Sequence, residues 1–300
     1  MEEDLGRFGP FFALVSVMII FGLTFIAIKV ALLDLGPYTL AFGRFIIATL
    51  VLSLAEKWRP SGVALKALPL ARLSLMGLLG VTLFFSLQNL GLTFTTASSA
   101  SLILSSIPAI TAIISYLVLG EPVSRVRAAS IAVSIMGVAL IILGGSGGSL
   151  SLGGRMIGDL LILISAFLWA CYTVIGRNLM SRLPYLTVTW ISTAFGTLFL
   201  LPLSAYEYIT SSSMHLSPST VVALLFLGLV ASALAFLLYN FAISRVEAGE
   251  ATLYVNLSPL VTVCAASLML HESLTLLQVV GGIVVLSSLY LASRQGLYEE

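Results

Sequence analysis

Two charged side chains lie inside apolar segments that are long enough to cross a membrane, and they are the first candidates for chemistry. Lys29 follows the run FGLTFIAI, and Arg44 lies within AFGRFIIA. A charge at the centre of a membrane helix costs roughly 2.5–3.5 kcal/mol on insertion scales, so such residues tend to be functional. Lys29 either attracts an anionic group of a ligand or extends toward the membrane surface. Arg44 either clamps the helix bundle by binding backbone carbonyls or acts directly in function.

Uncharged polar and aromatic side chains form a second set of candidates, which we expect to line a path for a small molecule: Thr24, Gln88, Asn89, Ser101, Ser105, Trp169, Tyr172, Tyr239, Asn240, Tyr254 and Asn256. Ser101 and Ser105 are four residues apart and therefore share one helix face. Each serine also fits close packing between membrane helices, which is the competing interpretation. For Trp169, the competing interpretation is anchoring at the membrane surface.

An unusual pattern occurs twice, 151 residues apart. The passages SSIPAITAIISYLVLGEP and NLSPLVTVCAASLMLHES each hold a proline at the fourth position and a glutamate at the seventeenth. Pro108 and Pro259 each remove a backbone hydrogen bond near the middle of a span, so we predict that they act as hinges. Glu121 and Glu272 lie where one span ends and the next begins. They either cap the helix that follows or take part in proton coupling.

The composition decides the class of protein. The chain has 300 residues, of which 59% are hydrophobic and 9% are charged, and its net charge is +1. A soluble domain has about 25% charged residues, so lipid must be the solvent for most of this surface. The low net charge argues against a nucleic-acid partner. The two histidines and two cysteines lie in no catalytic, metal-binding or phosphate-binding motif, so we expect neither an enzyme nor a cofactor.

Ten segments have the roughly 20 mostly apolar residues that a membrane helix needs. We predict spans at about 10–32, 37–55, 70–90, 95–118, 124–144, 157–179, 185–205, 218–240, 248–270 and 274–293. With the N-terminus inside, 11 of the 14 lysines and arginines fall on the cytoplasmic side, as the positive-inside rule requires. We therefore expect a multi-pass protein of the plasma membrane with both termini in the cytoplasm.

The repeated passages divide the chain into two halves of similar sequence. We expect an all-α membrane protein with a cytoplasmic N-terminus (1–9), a five-helix repeat (10–144), a Gly/Ser-rich external linker (145–156), a second five-helix repeat (157–293) and a cytoplasmic C-terminus (294–300). Because each half holds an odd number of spans, the two repeats must be inverted relative to one another. This architecture is typical of secondary transporters, whose substrates bind near the membrane midplane between the repeats.

The chain resembles the EamA-type family of the drug/metabolite transporter superfamily over residues 10–293. The resemblance rests on the duplicated five-helix unit, on LGEPVS and its partner LHESLT, and on AFGRF and GLTF. Many members carry a tryptophan before the glycine of the first span, whereas this chain has Phe21. The second half retains an aromatic residue at the equivalent position, Trp169. The resemblance implies transport of small metabolites such as amino acids, often outward.

Our hypothesis from the sequence is a secondary active transporter that exports small metabolites such as amino acids. Two halves would rock against each other to alternate access, with the lipid bilayer as surroundings and either a monomer or a homodimer as the functional unit. Coupling to protons or to another gradient stays open. Import or exchange by the same fold is an alternative. A membrane receptor or assembly subunit that transports nothing, and a membrane-embedded enzyme, are the rivals from other classes.

Overall fold

The computed structural model describes residues 2–58, 60, 63, 68–120, 124–146, 153–211, 216–238 and 257–296, and within these ranges the side-chain burial of residues from 12 onward except 127, 289 and 292–296. Within these ranges the chain forms helical segments and no strand. We number the segments α1 Glu2–Ala31, α2 Pro37–Trp58, α3 Leu70–Phe94, α4 Ala97–Leu119, α5 Arg125–Gly145, α6 Gly154–Met180, α7 Tyr185–Thr210, α8 Pro218–Leu238, α9 Leu257–Met269 and α10 Leu276–Gly296.

Eight of these segments, α1 to α8, contain an apolar stretch long enough to cross a membrane. Their bounds agree with the predicted spans within a few residues at most ends. The ends of α3 and α7 extend further than predicted, to Phe94 and Thr210. The apolar parts of α9 and α10 are shorter in the described residues, Leu257–Met269 and Leu276–Ser288. The structure therefore supports a polytopic helical membrane protein, with eight of the ten predicted spans at full length in its described part.

Helices of the first half pack mainly on helices of the second half. The pairs are α2 with α7, α5 with α10, α3 with α6 and α7, α4 with α6, α1 with α8 and α9, and α2 with α8. When each helix in a pair is replaced by the helix five positions before or after it in the chain, the result is again a pair of this set. The helix contacts are therefore related by the same exchange as the two halves of the sequence. Helices α5 and α10 approach each other closely at two glycines, which leave no side chain between the backbones. A Cβ on Gly137 would lie only 2.8 Å from the carbonyl oxygen of Gly281.

Local irregularities interrupt three of the long helices. In α4, Ser105 and Ser106 form a turn between Ala97–Leu104 and Ile107–Leu119, and Pro108 occupies the first turn of the second piece. A proline fits there because the first turn of a helix needs no backbone donor at that position. In α3 and α8, the middle of the helix widens into π-helical turns at Leu78–Leu83 and Phe226–Leu234. The two π-helical segments begin 148 residues apart.

The two ends of the bundle carry different charges. Where α1, α3, α5, α7 and α9 end, four described acids lie together with Lys29 and Arg155, and we call this the carboxylate end; the acids are Asp34, Asp159, Glu207 and Glu272. At the opposite end lie Lys57, Arg72, Arg125, Arg177 and Arg182, and we call this the basic end. Basic residues collect on the cytoplasmic side of membrane proteins.

Candidate functional site

A small pocket lies inside the bundle between helices of both halves. It is nearly closed, with a free volume of about 10 Å³, which is room for about one water molecule. The helices α2, α3, α6, α7 and α8 supply its lining: Phe45, Gly80, Val81, Phe85, Trp169, Tyr172, Thr189, Thr193, Ser232 and Phe236. A metabolite would have to separate these side chains to enter.

The π-helical segments of α3 and α8 both reach this pocket. Gly80 and Val81 belong to the segment in α3, and Ser232 belongs to the segment in α8. A π-helical turn changes the direction of its side chains and leaves backbone groups less regularly paired, and such turns are frequent at functional sites. Their matching positions in the two halves make the pocket a feature that both halves help to build.

Five of the ten residues that line the pocket are aromatic. The ring centroid of Trp169 lies 4.7 Å from Phe84, 5.0 Å from Tyr172 and 6.5 Å from Phe236. Phe85 contacts Phe45 edge to face at 4.6 Å. Offset and edge-to-face contacts at these separations stabilise the rings against one another. The wall therefore suits the apolar or aromatic body of a ligand.

Gly80 makes room for one of these rings. A Cβ at this position would lie 2.2 Å from Cδ2 of Tyr172, which is far inside van der Waals contact. The absent side chain of Gly80 thus lets Tyr172 lie flat against α3. Trp169 and Tyr172, both named from the sequence, are two of the predicted path residues that the structure places in the pocket wall.

Arg44 lies directly behind this wall and is 5% exposed. Its Nε donates a hydrogen bond to Ser232 Oγ at 2.6 Å, and its Cζ lies 4.5 Å from the ring centroid of Phe85. A second ring, Phe45, lies 5.4 Å from Cζ. A guanidinium over aromatic faces gains about 2 kcal/mol or more when it is desolvated. The structure thus places this charge next to three residues that line the pocket.

The other predicted path residues of the described chain lie outside the pocket lining. Lys29 Nζ donates to the carbonyl oxygen of Thr95 at 2.6 Å, and Asn89 Nδ2 donates to the carbonyl oxygen of Pro37 at 2.9 Å. Gln88 is buried, and its Oε1 has no hydrogen-bond partner among the described residues. Lys29 therefore holds the segment before α4 in place, and Asn89 holds the start of α2.

The hydroxyl candidates on α1 and α4 bond to their own helices. Thr24 Oγ1 donates to the carbonyl oxygen of Phe21, Ser101 Oγ to that of Ser98, and Ser105 Oγ to that of Ser101. Such bonds satisfy a buried hydroxyl and permit close packing, in agreement with the competing interpretation of the serines. The predicted residues Tyr239, Asn240, Tyr254, Asn256 and Glu121 lie outside the described residues.

Glu272 caps a helix, but a different one from the helix that its position in the sequence suggests. Its Oε1 accepts from Ala97 N at 2.8 Å, and its Oε2 accepts from Ser98 N at 3.0 Å and Ser98 Oγ at 2.8 Å. These donors belong to the first turn of α4. The following helix, α10, begins with its own capping box, in which Thr275 and Gln278 exchange hydrogen bonds. The prediction that Glu272 caps the helix after it is therefore corrected.

Two more carboxylates at this end make the same kind of contact. Asp34 Oδ2, which follows α1, accepts from Ser217 N at 3.0 Å and from Thr220 Oγ1 at 2.5 Å, at the start of α8. Glu207 of α7 accepts from Tyr38 N at 3.3 Å and Thr39 N at 2.7 Å, at the start of α2. In each case a carboxylate from one half caps a helix of the other half.

Asp159 of α6 is a fourth acid at the carboxylate end, and it was not among the residues predicted from the sequence. Its Oδ1 accepts a hydrogen bond from Thr95 Oγ1 at 2.5 Å, and the same Thr95 binds Lys29 through its carbonyl oxygen. Asp159 has no exposed surface, and its Oδ2 has no partner among the described residues. An acid within a predicted span was a signal available in the sequence.

The pocket residues that sequence reasoning missed are mostly ordinary for membrane helices. Phe45, Phe85 and Phe236 are apolar, and the hydroxyls of Thr189 and Thr193 fit packing as well as binding. Nothing in their spacing distinguishes them from other residues of their helices. The described residues contain no group of three histidine, cysteine or acidic side chains that would hold a metal ion. The described lining is aromatic and hydroxyl-bearing, so it suits contact with a small molecule that has an apolar body once the side chains separate.

Comparison with known proteins confirms the resemblance seen in the sequence. The sequence model of the EamA-like transporter family matches twice, over residues 7–143 and 156–294. An uncharacterized transporter of Archaeoglobus fulgidus is 32% identical over 284 residues, which cover 94% of this chain and 96% of that protein. A protein of Salmonella typhimurium named "Probable amino-acid metabolite efflux pump" is 28% identical over 303 residues, covering 96% and 95%.

A further relative and a solved structure agree with this assignment. A "Probable terminal-alkyne amino-acid exporter" of Streptantibioticus cattleyicolor is 28% identical over 288 residues, covering 95% of this chain and 93% of that protein. A solved crystal structure superposes with a TM-score of 0.66 at 19% identity, over 96% of this chain and 98% of that one, and shows the same fold. Since the family model matches both halves, the chain belongs to the EamA-like transporter family.

Proposed function

We propose that this protein is a secondary transporter that exports small metabolites such as amino acids from the cell by alternating access. The observation that carries the proposal is the aromatic pocket inside the bundle, which lies between helices of both halves. Transporters bind their substrates at such a position, where access can alternate between the two sides of the membrane. The names of the Salmonella and Streptantibioticus relatives support amino acids as the class of substrate.

The proposal includes two inverted five-helix repeats, residues 10–144 and 157–293, joined by the linker 145–156. Three observations support it: the family model matches twice, the helix pairs convert into one another on an exchange by five, and both halves hold a π-helical segment at the matching position. An odd number of spans in each half makes the repeats antiparallel. With the basic end in the cytoplasm, the carboxylate end faces outward.

The carboxylate end would act as the outer gate. Asp34, Glu207 and Glu272 each bind a helix terminus of the opposite half, so the halves cannot separate there without breaking these contacts. The interrupted helix α4 supplies a place where one half could bend, at the turn before Pro108. Pro259, near the start of the described part of α9, would have the same role in the other half. Rocking about these points would then open one end and close the other.

Transport by the purified full-length protein in proteoliposomes tests the proposal. We expect flux for at least one member of a panel of radiolabelled amino acids, measured with and without a pH gradient. Trp169→Ala should lower that flux at least tenfold, because it removes the central ring of the pocket wall. The matched control is Trp58→Ala, since Trp58 is 85% exposed at the basic end. An absence of flux for every amino acid and for a wider metabolite panel would refute the proposal.

A further inference from the structure

Arg44 carries a buried positive charge for which the described residues supply no counter-ion. Its side chain is 5% exposed, and its contacts in the described part of the chain are one hydroxyl, Ser232, and two aromatic rings. The described acids named above lie at the carboxylate end and bind helix termini or Thr95 instead. Removing a charge from water without a charged partner is costly, and aromatic contacts offset only part of that cost. An anion arriving at this place would be bound favourably.

The surroundings of Arg44 make the pocket the place where such an anion would arrive. The three residues that Arg44 contacts, Phe45, Phe85 and Ser232, all line the pocket. Ser232 fixes the guanidinium through Nε, which leaves the two terminal nitrogens as further donors. A guanidinium held in this way suits a carboxylate, which can accept two parallel hydrogen bonds from it.

The other lining residues of the pocket determine which chemistry suits the part of the ligand that is not the carboxylate. Trp169, Tyr172 and Phe236 contribute aromatic rings to the lining, and α7 contributes two hydroxyl-bearing residues, Thr189 and Thr193. A ligand with a carboxylate at one end and an apolar or aromatic body at the other would use both parts. A strongly cationic ligand would be repelled by Arg44 and would find no acidic partner among the described lining residues.

We propose that Arg44 is the carboxylate-binding residue of the pocket and that the preferred ligands are small monocarboxylates with an apolar body, such as hydrophobic amino acids. This inference rests on the proposed transport function and narrows its substrate class. It differs from a purely structural clamp in one respect that can be measured. Loss of a purely structural clamp would destabilise the protein and would weaken the binding of every ligand to the same extent. Loss of a carboxylate-binding residue would weaken the binding of a carboxylate more than that of its uncharged isostere.

Binding of L-phenylalanine and L-phenylalaninamide to the purified full-length protein, measured by isothermal titration calorimetry, tests the inference. We expect the wild type to bind the acid at least tenfold more tightly than the amide. Arg44→Gln should reduce this ratio to about one, because its loss removes the charge that distinguishes the two ligands. Arg44→Lys should retain part of the ratio, since a lysine keeps the charge but not the planar fork.

Size-exclusion chromatography and melting temperature establish whether Arg44→Gln folds. Should it not fold, Ser232→Ala takes its place. It keeps the charge but removes the contact that orients the guanidinium, and we expect the acid-to-amide ratio to fall severalfold. Equal binding of acid and amide by the wild type, binding of neither probe, or an unchanged ratio in the foldable variants would overturn the inference. Flux of other substrates in proteoliposomes would leave the transport function intact in each of those cases.

Discussion

Removing the Glu272 carboxylate should weaken the contact between the two halves at the carboxylate end. Glu272 accepts three hydrogen bonds at 2.8–3.0 Å from Ala97 and Ser98. A hydrogen bond to a charged group contributes about 1.5–3 kcal/mol, and loss of a helix cap costs about 0.5–2 kcal/mol. Because Glu272 is partly exposed, we expect Glu272→Ala to destabilise the protein by about 2–3 kcal/mol in total, below the sum of three buried bonds.

Thermal unfolding in detergent measures this effect. At about 2–4 °C per kcal/mol for a chain of 150–250 residues, a loss of about 2–3 kcal/mol should lower the melting temperature of Glu272→Ala by roughly 4–12 °C. The melting temperature of Glu272→Gln should fall by less, because the amide keeps one acceptor oxygen although it loses the charge and turns a donor toward Ser98. Ser273→Ala is the matched control, because Ser273 is an exposed neighbour of Glu272.

A double-mutant cycle tests the identity of the capped helix. Ser98 donates both its backbone N–H and its hydroxyl to Glu272, so Ser98→Ala and Glu272→Ala should be non-additive by about 0.5–2 kcal/mol. Thr275→Ala breaks the separate cap of α10, and its effect should be more nearly additive with that of Glu272→Ala. Additive effects for the Ser98 pair, or strong coupling for the Thr275 pair, would refute the assignment of Glu272 to α4.

Three further predictions concern the pocket, the interrupted helix and the buried acid. Gly80→Ala should lower flux and destabilise the protein by about 1–3 kcal/mol, because the new Cβ would overlap the Tyr172 ring. Gly153→Ala is the control, because no atom lies within 4 Å of a Cβ at that position. Pro108→Ala should impair flux more than melting temperature, and normal flux would contradict the hinge. Asp159→Ala should destabilise the protein by about 1–3 kcal/mol, because it removes the acceptor for Thr95. Asp159→Asn should cost less, because the amide keeps an oxygen at that place. Equal losses in melting temperature for the two variants would contradict this explanation.

Much of the fold follows from the sequence because a bilayer restricts what a chain can do. Backbone groups in lipid must be satisfied within each segment, so long apolar runs become helices with predictable ends. The proline in SSIPAI likewise marks the interruption of α4, since proline removes a backbone donor wherever it stands. Arg44 could be singled out from the sequence because a charged side chain within an apolar span is costly in lipid.

The sequence did not show which residues form the pocket. Phe45, Phe85 and Phe236 lie on three different helices, and ordinary apolar spacing gives no sign that they converge. The π-helical turns in α3 and α8 also depend on packing, because they rotate side chains by an amount that no local motif specifies. Lys29, Gln88 and Asn89 had the expected residue types but lie outside the pocket lining, and Lys29 and Asn89 instead bond to the backbone at the carboxylate end.

Glu272 shows most clearly which contacts can be predicted from the local sequence and which depend on the tertiary structure. The sequence determined that a carboxylate stands at a helix boundary, where partial charges of helix ends favour it. The tertiary structure alone decided that the helix is α4 of the other half, 174 residues away at Ser98. The same holds for Asp34 and Glu207. Electrostatic preference for a helix terminus has no sequence range, so the partner is set by which helix end the folded bundle brings within hydrogen-bond distance.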